Sequence, residues 1–142
     1  MQKQLPTLRQ SKLLKSRTLS VSILSDFHSV YTFASNPKNL PQWATTFIQS
    51  IRKVKGQWIA QTLNGLLAIK IVPKNLFGIL DHYLSSPDGN VIFVPMRVVP
   101  NAKGCEVLFT VFRQPGMSHS SFVNDLRLVQ KDLKSLKRMM EG

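Results

Sequence analysis

The end of the chain, from Ser118 to Glu141, limits the fold most. There Phe122, Leu126, Val129, Leu133, Leu136 and Met140 recur at alternating steps of four and three residues. That spacing draws one continuous apolar stripe along an α-helix. Asn124, Arg127, Lys131, Lys134, Lys137 and Arg138 occupy the other side, so the helix has one wet face and one dry face. Ser118 suits the N-cap, where a hydroxyl accepts a free backbone N–H of the first turn. A helix of this length needs a broad apolar surface to lie on, and most of the preceding chain reads as strand. The expectation is a curved sheet wrapped around one long C-terminal helix.

With 142 residues, 43% of them hydrophobic, the chain can bury a substantial core. No apolar run is long enough for a membrane span, and Met1 to Leu19 lacks the apolar centre of a secretory signal. The lone Cys105 excludes an intrachain disulfide and sits in an apolar strand pattern, which suggests a buried, inert thiol in a reducing, cytoplasmic setting. Charge is one-sided: 19 Lys and Arg against 7 Asp and Glu, a net +12. That balance favours an anionic partner such as ribosome, RNA or a membrane surface. Much of it, however, lies in an acid-free basic arm at residues 1–16, which carries Lys3, Arg9, Lys12 and Lys15. The single globular domain is expected over residues 17–142.

Leu19, Val21 and Ile23 alternate with polar residues as a half-buried first strand. Ser25 and Asp26 offer N-caps to a short helix with Phe27, Val30, Tyr31 and Ala34 on one side, stopped by Asn36-Pro37. Leu40, Trp43 and Phe47 give a second short helix. From Ile51 the period becomes two, with candidate strands at 48–54, 57–63, 66–72, 76–84, 91–99 and 105–112. Asn64-Gly65 and Asp88-Gly89 are the strongest hairpin signals. Successive hairpins imply an antiparallel meander, closed by the strand near Leu19 into seven strands.

This order of elements is that of the α+β helix-grip fold. Asn36-Pro37 with Leu40-Pro41-Gln42-Trp43, Leu80-Asp81-His82, Val94-Pro95-Met96-Arg97 and Gln114-Pro115-Gly116-Met117 resemble the SRPBCC (START-like) superfamily. The likeness is to its small bacterial polyketide cyclase-like proteins in particular, over about residues 17–141. The resemblance implies a deep apolar cavity between sheet and long helix, closed at one end by the short helices. Members hold lipids, aromatic polyketides, plant hormones or quinones. Some catalyse cyclisation or dehydration, others carry or sense, and one bacterial group binds the large ribosomal subunit. Fold alone leaves those roles open.

Asp81, His82 and Arg97 are the polar candidates for catalysis. Asp81 and His82 are strand neighbours, so they point to opposite faces and cannot form one dyad. A two-residue turn at Asp88-Gly89 would set Asp81 opposite Met96, His82 opposite Pro95 and Leu80 opposite Arg97. The more apolar face would then hold Phe77, Ile79, Asp81, Tyr83, Val94, Met96 and Val98. A different loop length flips this assignment by one residue. Asp81 is open to two roles, a general acid or base of raised pKa or a structural carboxylate bonded to a backbone N–H or to Tyr83. Candidate ligand contacts are Trp43, Phe47, Phe77, Ile79, Tyr83, Val94, Met96, Phe109, Phe122 and Leu126.

No His, Cys or carboxylate cluster has metal-ligand spacing, and phosphate-loop and dinucleotide fingerprints are missing, so neither metal nor cofactor is expected. Without a complete catalytic constellation, the leading reading is a carrier or sensor of a small hydrophobic or aromatic ligand. The alternatives are a cofactor-free cyclase, dehydratase or hydrolase in the same cavity, and a ribosome- or RNA-associated module acting through the basic arm.

Overall fold

The computed structural model describes residues 13–142; most of the basic arm therefore lies outside the described residues. Strand β1 (Ser16–Ile23) leads into helix α1 (Phe27–Ala34), a 3₁₀ turn at Pro37–Asn39 and the one-turn helix α2 (Leu40–Trp43). Strands β2 (Ile48–Val54), β3 (Gln57–Thr62), β4 (Gly65–Ile71), β5 (His82–Ser85), β6 (Val91–Val94), β7 (Met96–Asn101) and β8 (Gly104–Phe112) follow, and α3 (His119–Glu141) ends the chain. All pairings are antiparallel, in the orders β1-β8-β7 and β2-β3-β4-β5-β6.

The helices start where their caps dictate. Asp26 accepts the Ser29 N–H at 3.0 Å to open α1, and Ser118 accepts the Ser121 N–H at 3.1 Å to open α3. At its far end α3 is tied to β1, with Lys137 Nζ donating to the Ser22 carbonyl at 2.7 Å and the Leu24 N–H donating to Glu141 at 2.8 Å. Phe122, Leu133 and Leu136 of the apolar stripe are buried, against a core that includes Ile23, Val30, Leu80, Val98 and Val107. This is the helix-grip arrangement expected.

Eight strands replace the expected seven, because the run at 91–99 divides at Pro95. Proline has no N–H for the ladder. Before it, the chain pairs with β5; after it, β7 pairs with β8. Two bonds weld the sheets across the break: the Leu80 N–H donates to the Met96 carbonyl at 2.8 Å, and the Thr110 N–H to the Pro95 carbonyl at 2.9 Å.

The candidate strand 76–84 is also shorter than expected, since 73–81 folds around Asn75. Its Oδ1 accepts the N–H groups of Phe77 and Ile79, both at 3.0 Å, and its Nδ2 donates to the carbonyls of Pro73 and Ile79. Tyr31 of α1 accepts the Asn75 N–H at 2.9 Å. An amide that claims backbone groups in this way replaces a strand partner. The turn also needs Gly78, whose φ is +74° and whose missing side chain leaves room for the Val98 carbonyl and the Phe27 ring. Gly78→Ala combines a backbone that L-residues avoid with a backbone clash. It is expected to lower stability by about 2–4 kcal/mol in urea unfolding; a loss below about 0.5 kcal/mol would show that the turn is not needed.

Candidate ligand-binding site

Between the sheet and α3 lies a cavity of about 220 Å³. Its floor is the concave sheet face: Ile69 and Ile71 of β4, Leu84 of β5, Ile92 and Val94 of β6, with Leu80, Met96 and Phe109 beside them. Leu40, Trp43, Ala44 and Phe47 of the α2 region close one end, and Leu128, Val129 and Leu133 of α3 form the roof. The wall is thus almost wholly apolar, with His82, Thr46, Gln114, Asp125 and Asp132 among its few polar side chains.

The hairpin between β5 and β6 decides which side chains enter. Tyr83 faces Phe93 and His82 faces Val94, while the Ser86 N–H donates to the Asn90 carbonyl at 2.9 Å. The loop is therefore the three residues Pro87-Asp88-Gly89, not the two expected. The Gly89 N–H donates to the Ser86 carbonyl at 3.0 Å, and Gly89 takes φ +93°. Pro87 fits the second position of a type I turn, and glycine supplies the positive φ that rejoins the strand. Asp88 accepts from the Ser86 hydroxyl and the Asn90 N–H.

This one-residue shift corrects the face assignment on β5. Leu80, His82 and Leu84 face the cavity with Val94 and Met96. Asp81 instead pairs with Arg97, neither of which lines the cavity. Of the proposed ligand contacts, Trp43, Phe47, Val94, Met96 and Phe109 line the cavity. Ile79, Tyr83, Phe122 and Leu126 do not line it, and Phe77 is 78% exposed in the Asn75 loop. Tyr83 packs against Phe93 with the rings tilted by 32° and their centres 5.2 Å apart.

Asp81 and His82 divide one missing ladder bond between them. Leu80 and Met96 face each other, yet only the Leu80 N–H to Met96 carbonyl bond forms. The Met96 N–H donates instead to Asp81 Oδ1 at 2.9 Å. The Leu80 carbonyl lies 3.0 Å from His82 Nδ1. A carbonyl only accepts, so Nδ1 carries the proton and Nε2 keeps a free lone pair. Burial lowers the His82 pKa below its usual value of 6.5, which outweighs the bond to Leu80 and the charge of Asp81. Burial thus favours the neutral form of this imidazole in the cavity wall. Arg97 binds Asp81 through Nε at 3.3 Å and Nη2 at 3.2 Å, but its side chain is 49% exposed. That ion pair contributes little; the bond to the Met96 N–H matters more.

Asp125 and Asp132 escape a reading based on the apolar stripe alone. They lie seven residues apart on α3 and flank Val129, so they share its cavity face. The signal available was their spacing from Val129, four residues before and three after. Asp132 is 7% exposed. Its carboxyl accepts the Thr46 N–H at 3.1 Å and the Thr46 hydroxyl at 2.7 Å, locking α3 to the end of α2. Burial raises the pKa of both acids, and for Asp132 it outweighs the opposing bonds from Thr46. Among the described residues, no group of three His, Cys, Asp or Glu side chains could hold a metal ion.

No family model matches the chain, and no curated protein matches it in sequence. Solved structures do share its fold. An uncharacterised protein from Bacillus thuringiensis superposes with a TM-score of 0.72 at 15% identity, over 90% of this chain and 100% of that one. A START superfamily protein from Mycobacterium smegmatis gives 0.65 at 12% identity, over 89% and 97%. Truncated norcoclaurine synthase from Thalictrum flavum gives 0.64 at 11% identity, over 92% and 96%. The chain therefore shares the helix-grip fold of these proteins. No helix among the described residues is long and apolar enough to cross a membrane.

Two outcomes test the geometry around β5. Asp81→Ala leaves the Met96 N–H without its partner and is expected to lower stability by about 1–3 kcal/mol, whereas Asp81→Asn keeps an oxygen acceptor and loses less than half of that. For His82 the folded pKa lies below the unfolded value. Between pH 6.5 and the folded pKa the unfolded chain binds a proton that the folded chain refuses. Stability therefore falls as pH drops through that window, by up to about 1.4 kcal/mol per unit, and levels off below it. His82→Phe lacks this loss, so between pH 7.5 and 5 it should lose less stability than the natural protein in urea titrations. Parallel curves would rule out a neutral, buried His82.

Proposed function

We propose that this protein is a carrier or sensor that encloses one small apolar or aromatic molecule between its sheet and α3. The observation that carries the reading is the cavity itself: about 220 Å³, walled by aliphatic and aromatic side chains from both layers. Apolar cavities of about 150 Å³ already take benzene, so this one suits a molecule of one or two rings better than a long acyl chain. Of the solved proteins that share the fold, one is described as a START superfamily protein and one as a synthase; the fold is compatible with binding and with catalysis. Asp81 and Arg97 stand outside the cavity, and the Thr46 hydroxyl that meets Asp132 in its wall serves to tie α3 to the segment after α2, which favours binding.

The second reading is a cofactor-free cyclase or dehydratase. Its support is His82, a neutral imidazole in an apolar wall with Nε2 free to take a proton. Turnover would then depend on His82 rather than on Asp81.

The neutral fluorescent probe N-phenyl-1-naphthylamine tests the cavity. It should bind one to one with a rise in emission, and Val129→Trp, which pushes a ring into the roof, should weaken binding at least tenfold while circular dichroism stays unchanged. Undiminished binding by folded Val129→Trp would move the site elsewhere, and no binding by the natural protein would remove the proposal. Native mass spectrometry of protein purified from its own host should show a stoichiometric small molecule.

A further inference from the structure

Nineteen Lys and Arg residues populate this chain, yet none of those among the described residues lines the cavity. The charged or chargeable groups in its wall are His82, Asp125 and Asp132. A carboxylate buried here would meet no cation and would face two carboxyl groups across an apolar space, where uncompensated charge is costly. The cavity is thus closed to anions by its lining, whatever the charge outside.

Of the donors and acceptors in this wall, the Trp43 Nε1–H is buried without a partner, and no hydrogen bond to the Asp125 carboxyl forms among the described residues. Asp132 is already engaged by the Thr46 N–H and hydroxyl, and Gln114 Nε2 by the Phe112 carbonyl. The Thr110 hydroxyl pairs with Thr18. His82 is a further unpaired group, but one fixed in tautomer: Nδ1–H is held by the Leu80 carbonyl, and across the ring Nε2 has no hydrogen-bond partner among the described residues. The ring is fixed edge-on to Phe109, with centres 6.0 Å apart. A fixed tautomer in a fixed orientation presents one lone pair, and such an acceptor is satisfied only by a donor on the occupant or by water.

We propose that His82 Nε2 is the specificity-determining atom of the cavity, accepting a hydrogen bond from a hydroxyl on an uncharged aromatic ring, while the cation-free wall rejects carboxylates. The inference rests on the cavity being the ligand site and adds what it selects. Asp81 enters as a positioning residue: by taking the Met96 N–H it keeps the Leu80 carbonyl free to hold His82 Nδ1–H.

Three probes of like shape separate the terms: 2-naphthol, 2-methoxynaphthalene and 2-naphthoate, titrated into the full-length protein by calorimetry at pH 7.5. One buried hydrogen bond should make 2-naphthol bind about three- to tenfold tighter than its methyl ether. The naphthoate should bind at least tenfold more weakly than the naphthol. His82→Phe should erase the preference for the naphthol over the ether, the ratio of the two affinities falling to about one. Nitrogen-15 spectra of the natural protein give a reading that does not depend on a variant: 2-naphthol should shift the His82 Nε2 resonance toward that of a hydrogen-bonded nitrogen, and the ether should not. Naphthoate binding as tight as naphthol binding, a preference that survives His82→Phe, or an unmoved Nε2 resonance at saturating naphthol would each overturn the inference. If the ether binds and the naphthol gains nothing, only the selectivity fails. If none of the three binds, the cavity reading fails with it.

Discussion

One hydrogen bond that the sheet does not make sets the character of the cavity. In a regular antiparallel pair, Leu80 and Met96 would exchange two N–H to carbonyl bonds. Only one forms. The Met96 N–H, the residue after Pro95, turns to the carboxylate of Asp81, and the Leu80 carbonyl turns to His82. Both freed backbone groups are satisfied by side chains of adjacent residues on opposite faces of the sheet. The break therefore leaves no orphaned polar group, which would otherwise cost about 1–3 kcal/mol. It also lets the chain switch partners from β5 to β8 at Pro95, and this switch welds two ladders into one surface that can curve around α3. An imidazole with a defined proton stands on the concave side of that bend.

The helix meets this surface without filling it. A void of about 220 Å³, at roughly 24 cal/mol per Å³, amounts to about 5 kcal/mol of forgone packing. Domain stabilities are only about 5–15 kcal/mol. Two acids on the cavity face of α3 deepen the deficit, since burial disfavours their charged forms. Larger side chains at Ala34, Ala44 or Val129 would close the space. A sequence that keeps small residues and carboxyls around such a void has retained an expensive feature, and that cost is most simply understood if an occupant restores the contacts.

Long-range order was legible where periodicity was long and unambiguous. The stripe from Phe122 to Met140 specified α3, Asp26 and Ser118 specified where helices begin, and the period-two runs gave the meander. Legibility failed where one residue changed a local rule. Pro87 prefers the second position of a type I turn, which starts the turn at Ser86 and makes the loop three residues long; attention to Asp88-Gly89 alone put it one residue off and turned the faces of β5 over. Pro95 split a strand whose apolar pattern ran straight through it. Asn75 converted residues 73–81 into a loop by hydrogen bonds that no hydropathy pattern records, leaving Phe77 in solvent. Asp125 and Asp132 were hidden for a different reason. Acids on an amphipathic helix are ordinarily read as part of its wet face, and only the shape of the cavity puts these two on the dry side.

Charge is segregated by depth, with consequences for recognition. Outside, the excess of Lys and Arg attracts anions over about a Debye length, 8–10 Å at moderate salt. Inside, the wall as formed by the described residues offers an incoming anion two carboxyls and an imidazole whose pKa burial lowers, and no Lys or Arg. The same negatively charged molecule would thus be drawn to the surface and refused by the cavity. An anionic macromolecule, which needs only the surface, and an uncharged ring, which needs only the interior, do not compete for any group. The two kinds of partner could therefore occupy the protein at once, coupled only if occupancy of the cavity moves α3, whose outer face carries Lys131, Lys134 and Arg138 and whose inner face forms the roof.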